Sequence, residues 1–207
     1  MSLNREVGTL GHITRTTTAE MMRAQSGNSS LNGEKTSDGR ILRIAVLDSG
    51  VYASHDSFDQ KVLTIDFMGT RTPTLTESED SGRDEYGHGT HVAGLLAGKD
   101  ILNSAFTGIA PKAQIISARV LDGEGRGKTS SLLRALDWLL ANHSAQNIRV
   151  VNMSLGTAAI DSYRNDPICR AVRRLTDAGV VVVAAAGNNG RDAQGRTALR
   201  SHPLARQ

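Results

Sequence analysis

Cysteine is almost absent from this 207-residue chain: Cys169 is the only one, so no disulfide forms within the chain and no structural zinc site rests on several thiolates. The net charge is also small, at +3. The 24 lysine and arginine residues exceed the 21 aspartate and glutamate residues by little, which favours neither nucleic acid nor an anionic membrane as a partner. No stretch approaches the ~18–20 apolar residues that cross a bilayer. The first residues lack a secretory signal, so we expect any export signal to lie outside this sequence.

What the sequence does contain is enough apolar material, 39% of its residues, for one globular domain. Short β-branched runs alternate with helical patterns, which is typical of an α/β fold: a three-layer, doubly wound, mostly parallel sheet with helices on both faces. We predict this domain over 41–190, after a polar segment 1–40 in which 17–25 can form a helix, and before an irregular basic tail 191–207. The predicted strands are 41–48, 62–67, 113–121, 148–154 and 179–187, and the predicted helices are 90–98, 129–143 and 166–178.

The helix predicted over 129–143 carries a stripe of leucines, with a threonine or serine available as its N-cap. This stripe predicts a surface that faces the core and implies no cofactor. The stripe consists of Leu132, Leu133, Leu136, Leu139 and Leu140.

Polar residues and glycines follow three of the predicted strands, at the sheet edge where ligands and catalytic groups collect in such folds. They are Asp48-Ser49-Gly50, the segment Asn152 to Gly156, and the segment Ala186 to Gly190. Each segment alone also matches ordinary turn chemistry. Three of them on one edge indicate a functional site.

The segment YGHGTHVAGLLAG, residues 86–98, places His88 between two glycines just before a helical pattern. The glycines let the backbone approach a substrate, and the junction holds the imidazole at an edge for proton transfer. Zinc peptidases instead have histidines four residues apart with a glutamate after the first, whereas His91 lies three residues on and Gly89 takes the glutamate position. A third ligand would have to come from the acidic loop 76–85, which is typical of a solvated surface. We therefore predict no metal site, with His91 satisfied within the fold.

From about Ile41 to Gly190 the chain resembles the catalytic domain of a subtilisin-like serine peptidase, a subtilase. Three segments carry the resemblance in the family's order: VLDSG with Asp48, GHGTHVAG with His88, and AAAGNNG with Asn188. The resemblance implies a serine endopeptidase that hydrolyses peptide bonds through an Asp-His-Ser triad without a cofactor.

The resemblance also assigns roles. Asp48 would orient His88 and stabilise its imidazolium, and His88 would act as general base and then general acid. The Asn188 amide would donate to the oxyanion. An extended polypeptide substrate would be held between two edges by β-type hydrogen bonds. Those edges are Gly125, Arg126 and Gly127 on one side and Ser154, Leu155 and Gly156 on the other; taken alone, Gly-Arg-Gly is equally a flexible loop.

The family's fourth signature, a Gly-Thr-Ser stretch that carries the nucleophile, does not occur in the sequence. Ser154 belongs to a substrate edge, and Ser201 has neither the flanking glycine nor a helix behind it. We therefore expect that the chain is truncated before the nucleophile and that it does not cleave peptide bonds as printed. We also expect the apolar faces of VVVVAAA and of the helix over 129–143 to be uncovered.

Two further departures concern ligands. Many subtilases bind calcium through an aspartate nine positions after the catalytic aspartate, and Ser57 stands there, so we do not expect that calcium site. Thr157 stands where the family often has glycine, and its β-branched side chain would narrow the primary pocket. The resemblance implies secretion, with a cytoplasmic location left open.

Two alternatives to a peptidase stay open. One is a peptide-binding module without catalysis, although such a module has no use for Asp48, His88 and Asn188 together. The other is an unrelated doubly wound ligand-binding domain, although AAGNNG lacks the G-x-G-x-x-G spacing and no helical pattern follows it.

Overall fold

The structure, a computed structural model, describes residue 35 and residues 38–58, 62–69, 72–76, 83–99, 107–156 and 162–185. Within these residues the chain forms five strands and three helices. The strands are β1 (Arg43–Asp48), β2 (Leu63–Asp66), β3 (Gln114–Arg119), β4 (Ile148–Met153) and β5 (Val181–Ala184), and the helices are α1 (His88–Ala97), α2 (Thr129–Asn142) and α3 (Pro167–Asp177). The predicted helix 17–25, the tail 191–207 and the end of the predicted strand 179–187 lie outside the described residues.

The described strands form one parallel sheet in the order β2-β3-β1-β4-β5. The central strand is therefore β1, between β3 and β4. Its last residue, Asp48, pairs in register with Arg119 at the end of β3, and Val46 pairs with Asn152 near the end of β4. Because the carboxyl ends of parallel strands meet at one edge, Asp48 opens onto the edge where the chain leaves β3 and β4.

Helices cover both faces of this sheet. On one face α2 and α3 pack against the strands through residues such as Leu136 and Leu175, which are almost fully buried. On the other face α1 packs through small residues such as Ala93. Leu47 of β1 belongs to the first cluster and its neighbour Val46 to the second, as the alternation of side chains along a strand requires. The predicted three-layer α/β fold is confirmed.

One helix start and one helix cap differ from the sequence prediction. Helix α1 begins at His88 rather than at residue 90, because Gly87 takes a left-handed conformation with φ 84° and turns the chain into the helix. Helix α2 begins at Thr129 as predicted, but no serine or threonine caps it. Lys128 occupies its N-cap position, without a side-chain hydrogen bond to the helix.

The expected exposure of apolar faces is right for β5 and wrong for α2. Val181 and Val183 of β5 are 59% and 51% exposed. In α2, by contrast, Leu132, Leu136 and Leu139 are buried against the sheet, so the helix is covered by the described strands themselves. No helix within the described residues is long and apolar enough to cross a membrane.

Candidate active site

The two predicted triad residues meet at the carboxyl edge of the sheet. Asp48 ends the central strand β1 and is fully buried, and His88 is the first residue of α1. The imidazole Nδ1 lies 2.8 Å from Oδ1 and 2.9 Å from Oδ2 of Asp48. The backbone N–H of Ser49 donates to Oδ1 of the same carboxylate at 2.8 Å. A buried carboxylate with these donors around it holds one side of the ring.

This contact determines which imidazole nitrogen is left for other chemistry. A carboxylate is an acceptor, so Nδ1 carries the proton in the neutral ring and Nε2 presents its lone pair elsewhere. The His88 side chain is 42% exposed, while Asp48 is not exposed at all. Among the described residues no hydroxyl contacts His88. The ring therefore presents a free basic nitrogen at the surface of the site.

Two glycines let the end of β1 pack directly against α1 and against the segment before it. A β-carbon at Gly89 would lie 2.0 Å from the carbonyl oxygen of Gly50 and 3.0 Å from the β-carbon of Asp48. Gly50 itself has φ 122°, and a β-carbon there would lie 2.0 Å from the Arg83 carbonyl oxygen. The prediction that the glycine after His88 serves close approach of substrate is therefore wrong, because the space at Gly89 is filled by the protein backbone.

Asp84 is a site residue that the sequence prediction missed, since the loop 76–85 was expected to be solvated. Its Oδ1 accepts from Ser49 Oγ at 2.7 Å and from the Gly87 N–H at 2.9 Å. Its Oδ2 accepts from the N–H and hydroxyl of Thr90 at 2.7 and 2.6 Å. An acidic residue just before a helical pattern is a helix-start signal that could have identified it.

The hydrogen bonds to Asp84 also change its proton affinity. Burial alone would raise the pKa of this carboxyl, but the hydrogen bonds from Thr90, Ser49 and Gly87 outweigh burial and hold its pKa below the ordinary value. Asp84 is therefore ionised over the whole range in which a histidine titrates.

A cleft of about 420 Å³ opens beside His88, within the size range of ligand pockets. Both predicted substrate edges line it, and α2 and α3 contribute apolar side chains. The lining residues are Tyr86, His88, Val120, Leu121, Gly125, Arg126, Gly127, Lys128, Thr129, Leu132, Ser154, Leu155, Gly156 and Ile168.

Both edges offer open backbone groups. Residues 125–127 lie in the loop after β3 and residues 154–156 follow β4, so neither segment is part of a strand. Within the described part of the chain, the backbone N–H and C=O groups of Gly127 and of residues 154–156 have no hydrogen-bond partner. An extended chain lying between them could bond to both sides.

Arg126 differs from its neighbours, because its backbone is already used. Its C=O accepts from the Asp122 N–H at 2.8 Å, and its N–H donates to Asp122 Oδ1 at 2.9 Å. The hydrogen bonds from the N–H groups of Arg126 and Glu124 hold the pKa of Asp122 below its ordinary value. Arg126 therefore closes the turn, and Gly127 is the member of this edge that is open to a substrate.

Tyr86 links the histidine to this edge and was also missed. A β-carbon at Gly125, where φ is 72°, would lie 2.8 Å from the Tyr86 ring, so the ring rests on bare glycine backbone. The centroids of the Tyr86 and His88 rings are 6.2 Å apart. Tyr86 thus forms the wall between the imidazole and the loop after β3.

The remaining predicted residues divide into two groups. Asn188, Thr157 and Ser201 lie outside the described residues. His91 lies on α1 as predicted, but it is exposed rather than packed within the fold. Among the described residues no group of three histidine, cysteine, aspartate or glutamate side chains could hold a metal ion.

The parallel sheet and the Asp48–His88 contact at its edge agree with the subtilisin-like class that the sequence resembles. The chain belongs to the Subtilase family, whose sequence profile matches residues 39–204.

Individual relatives agree with this assignment. The minor extracellular protease Epr of Bacillus subtilis (strain 168) is 38% identical over 152 residues, which cover 73% of this chain and 21% of that protein. The serine protease AprX of the same organism is 32% identical over 169 residues, covering 79% of this chain and 36% of that protein. Among solved structures, Sphericase matches with a TM-score of 0.58 and 34% identity, over 73% of this chain and 47% of that chain. The chain thus spans between about a fifth and a half of these relatives.

Proposed function

We propose that this chain supplies the acid–base pair and the substrate cleft of a serine endopeptidase. Asp48 orients the ring, His88 takes a proton at Nε2 from a serine hydroxyl and returns it to the leaving amine, and an extended polypeptide lies in the cleft. The observation that carries this proposal is the bond from Nδ1 of His88 to both oxygens of a fully buried carboxylate, beside the cleft.

Two catalytic groups would come from outside the described residues. The nucleophilic serine is one, because covalent catalysis needs an atom that forms the acyl-enzyme. The donor to the oxyanion is the other, and the family resemblance assigns it to Asn188. No cofactor is needed for this chemistry. The name of the relative Epr, an extracellular protease, supports a location outside the cell.

The proposal can be tested without the serine, because a peptidyl chloromethyl ketone reacts with histidine directly. Bound in the cleft, the reagent would present its CH₂–Cl carbon to Nε2 of His88. A nitrogen–carbon bond then forms, the carbon–chlorine bond breaks, and chloride leaves. Tetrapeptidyl chloromethyl ketones with small apolar residues are incubated with the chain, and peptide mapping by mass spectrometry gives the rate at each histidine.

His91 is an internal control, since it is exposed on the same helix. Because binding holds the reagent at the ring, we expect His88 to react at least about tenfold faster than His91 with the peptidyl reagent, and about equally fast with chloroacetamide. Asp48→Asn should abolish the preference, because the amide no longer holds the proton on Nδ1. Equal rates at His88 and His91 with the peptidyl reagent would contradict the proposal.

A peptide-binding role without catalysis predicts a different pattern. The open backbone groups of Gly127 and residues 154–156 favour peptide binding in either case. A pure binding module would bind the tetrapeptides, as seen in shifted amide resonances at these residues. It would nevertheless show no selective alkylation of His88, because a chain that is only bound would not have to place its reactive end beside Nε2.

A further inference from the structure

The Asp48–His88 pair poses a positioning problem, because its two members lie on different elements. Asp48 ends a strand and His88 begins a helix, 40 residues further along the chain. Their contact at 2.8 Å holds only if the strand end and the helix start keep a fixed separation. The glycine contact at Gly89 sets how closely the two elements can approach, but it does not hold them together.

Asp84 provides an attachment on the helix side. Its Oδ2 accepts both the N–H and the hydroxyl of Thr90, and its Oδ1 accepts the N–H of Gly87, the residue before the histidine. These N–H groups at a helix start have no partner within the helix. The carboxylate therefore grips the backbone on both sides of His88.

Ser49 provides the attachment on the strand side. Its N–H donates to Asp48 Oδ1 at 2.8 Å, and its Oγ lies 2.7 Å from Asp84 Oδ1 and 3.2 Å from Asp48 Oδ1. The hydroxyl has a single proton, and the shorter distance assigns it to Asp84. The Gly89 N–H donates to the same Oγ at 3.2 Å. One carboxylate, acting through one serine, thus connects the strand end to the helix start.

We propose that Asp84 is a positioning residue: through Ser49 on one side and through Gly87 and Thr90 on the other, it sets the Asp48–His88 contact. The claim that Asp84 contributes to catalysis in this way rests on the proposed function. The claim that it positions the Asp48–His88 contact does not, so the two claims can fail separately.

The competing explanation is that Asp84 merely caps a helix. The chain holds a matched control, because Asp166 caps α3 by accepting the N–H groups of Ile168 and Cys169 at 2.8 and 2.9 Å. Both caps stabilise a helix start, but Asp166 has no hydrogen bond to Ser49 or His88. Removing each carboxylate separates capping from positioning.

The test is the exchange with water of the His88 Nδ1 proton, observed as a low-field resonance in the chain labelled with ¹⁵N-histidine and assigned by its loss in His88→Gln. Asp84→Ala should weaken the charge-assisted contact between His88 Nδ1 and the Asp48 carboxylate. The exchange should therefore become about tenfold faster or more. Asp166→Ala should leave the exchange rate within about twofold of the wild-type rate. It should lower the melting temperature about as much as Asp84→Ala does, because each variant loses a helix cap.

Two outcomes would overturn the proposal. One is an Asp84→Ala variant that melts earlier but keeps the wild-type exchange rate, as Asp166→Ala is expected to do. The other covers the case in which Asp84→Ala does not fold. Ser49→Ala keeps the bonds from Gly87 and Thr90 to Asp84 and removes the link to the strand, together with the 3.2 Å bond from the Gly89 N–H. Unchanged exchange in that variant would remove the link. A chain with slow exchange that fails the alkylation test would refute the proposed function and leave the positioning role intact.

Discussion

Replacing Gly89 with alanine should separate Asp48 from His88. The new β-carbon would lie 2.0 Å from the Gly50 carbonyl oxygen and 3.0 Å from the Asp48 β-carbon, and contacts under 3.0 Å are essentially never made. Because one obstacle is backbone and the other belongs to a fully buried residue, neither can rotate away. The start of α1 must therefore move by about 1 Å, which stretches the 2.8 Å contact to His88 beyond the ~3.2 Å limit of a good hydrogen bond.

The stability change follows from the same clash. Overpacking a filled site costs about 1–3 kcal/mol, and a clash with backbone belongs at the upper end of that range. Alanine returns up to about 1 kcal/mol through its higher helix propensity, which leaves a net loss of about 2 kcal/mol. Gly94 is the matched control: it lies on the same helix, and a β-carbon there would meet nothing within 4 Å. Gly94→Ala should therefore gain up to about 1 kcal/mol.

Urea denaturation measures both variants. With a slope of about 1–3 kcal/mol per molar urea, a difference of about 3 kcal/mol separates the two midpoints by at least about 1 M, with the wild type between them. The His88 Nδ1 resonance should weaken in Gly89→Ala and persist in Gly94→Ala. A Gly89→Ala chain at least as stable as wild type, with an unchanged resonance, would refute the packing argument.

Two further predictions follow from the described residues and one from the sequence. Burial raises the pKa of the Cys169 thiol to about 11, so at pH 8 only about one thiol in a thousand is ionised, and alkylation by iodoacetamide should proceed only as the chain unfolds in urea; fast labelling of the folded chain would contradict the buried position. The pKa of Asp84 lies below the ordinary 3.8. The ionised carboxylate therefore stabilises the folded chain above pH 3.8, and this stability is lost as the pH falls through the folded-state pKa. Urea midpoints of Asp84→Asn should fall less steeply on acidification than those of wild type. The 207-residue polypeptide, which contains no Gly-Thr-Ser stretch, should neither cleave casein nor react with a fluorophosphonate, and activity abolished by His88→Ala would prove this wrong.

The strands and helices were predictable because their signals are local. The β-branched run that becomes β1 and the leucine stripe of α2 show in short windows of sequence, and both elements formed where they were expected. The start of α1 at His88 was missed by two residues. It depends on the left-handed turn at Gly87 and on a carboxylate outside the helix, which an apolar pattern cannot reveal.

The contact between Asp48 and His88 was predictable from motifs, while the contacts that support it were not. Asp48 and His88 stand in short segments that the family resemblance identifies. Asp84 lies in an acidic loop that looks solvated, and its partner Ser49 is 35 residues away in sequence, so only the folded chain shows their contact. The role of Asn188 stays a prediction.

The described residues also indicate what a nucleophile must satisfy. His88 is held on its Nδ1 side by the buried carboxylate, so any serine has to arrive on the exposed Nε2 side. There it would need to lie about 3 Å from the ring nitrogen and from the carbonyl of a chain bound along Gly127, since small misplacements cost large factors in rate. His88 and the cleft edge at Gly127 lie within residues 48–127, in the part of the chain that includes β1, α1 and β3. If the proposed function holds, the remaining requirement for acylation is the placement of the serine hydroxyl beside Nε2 of His88.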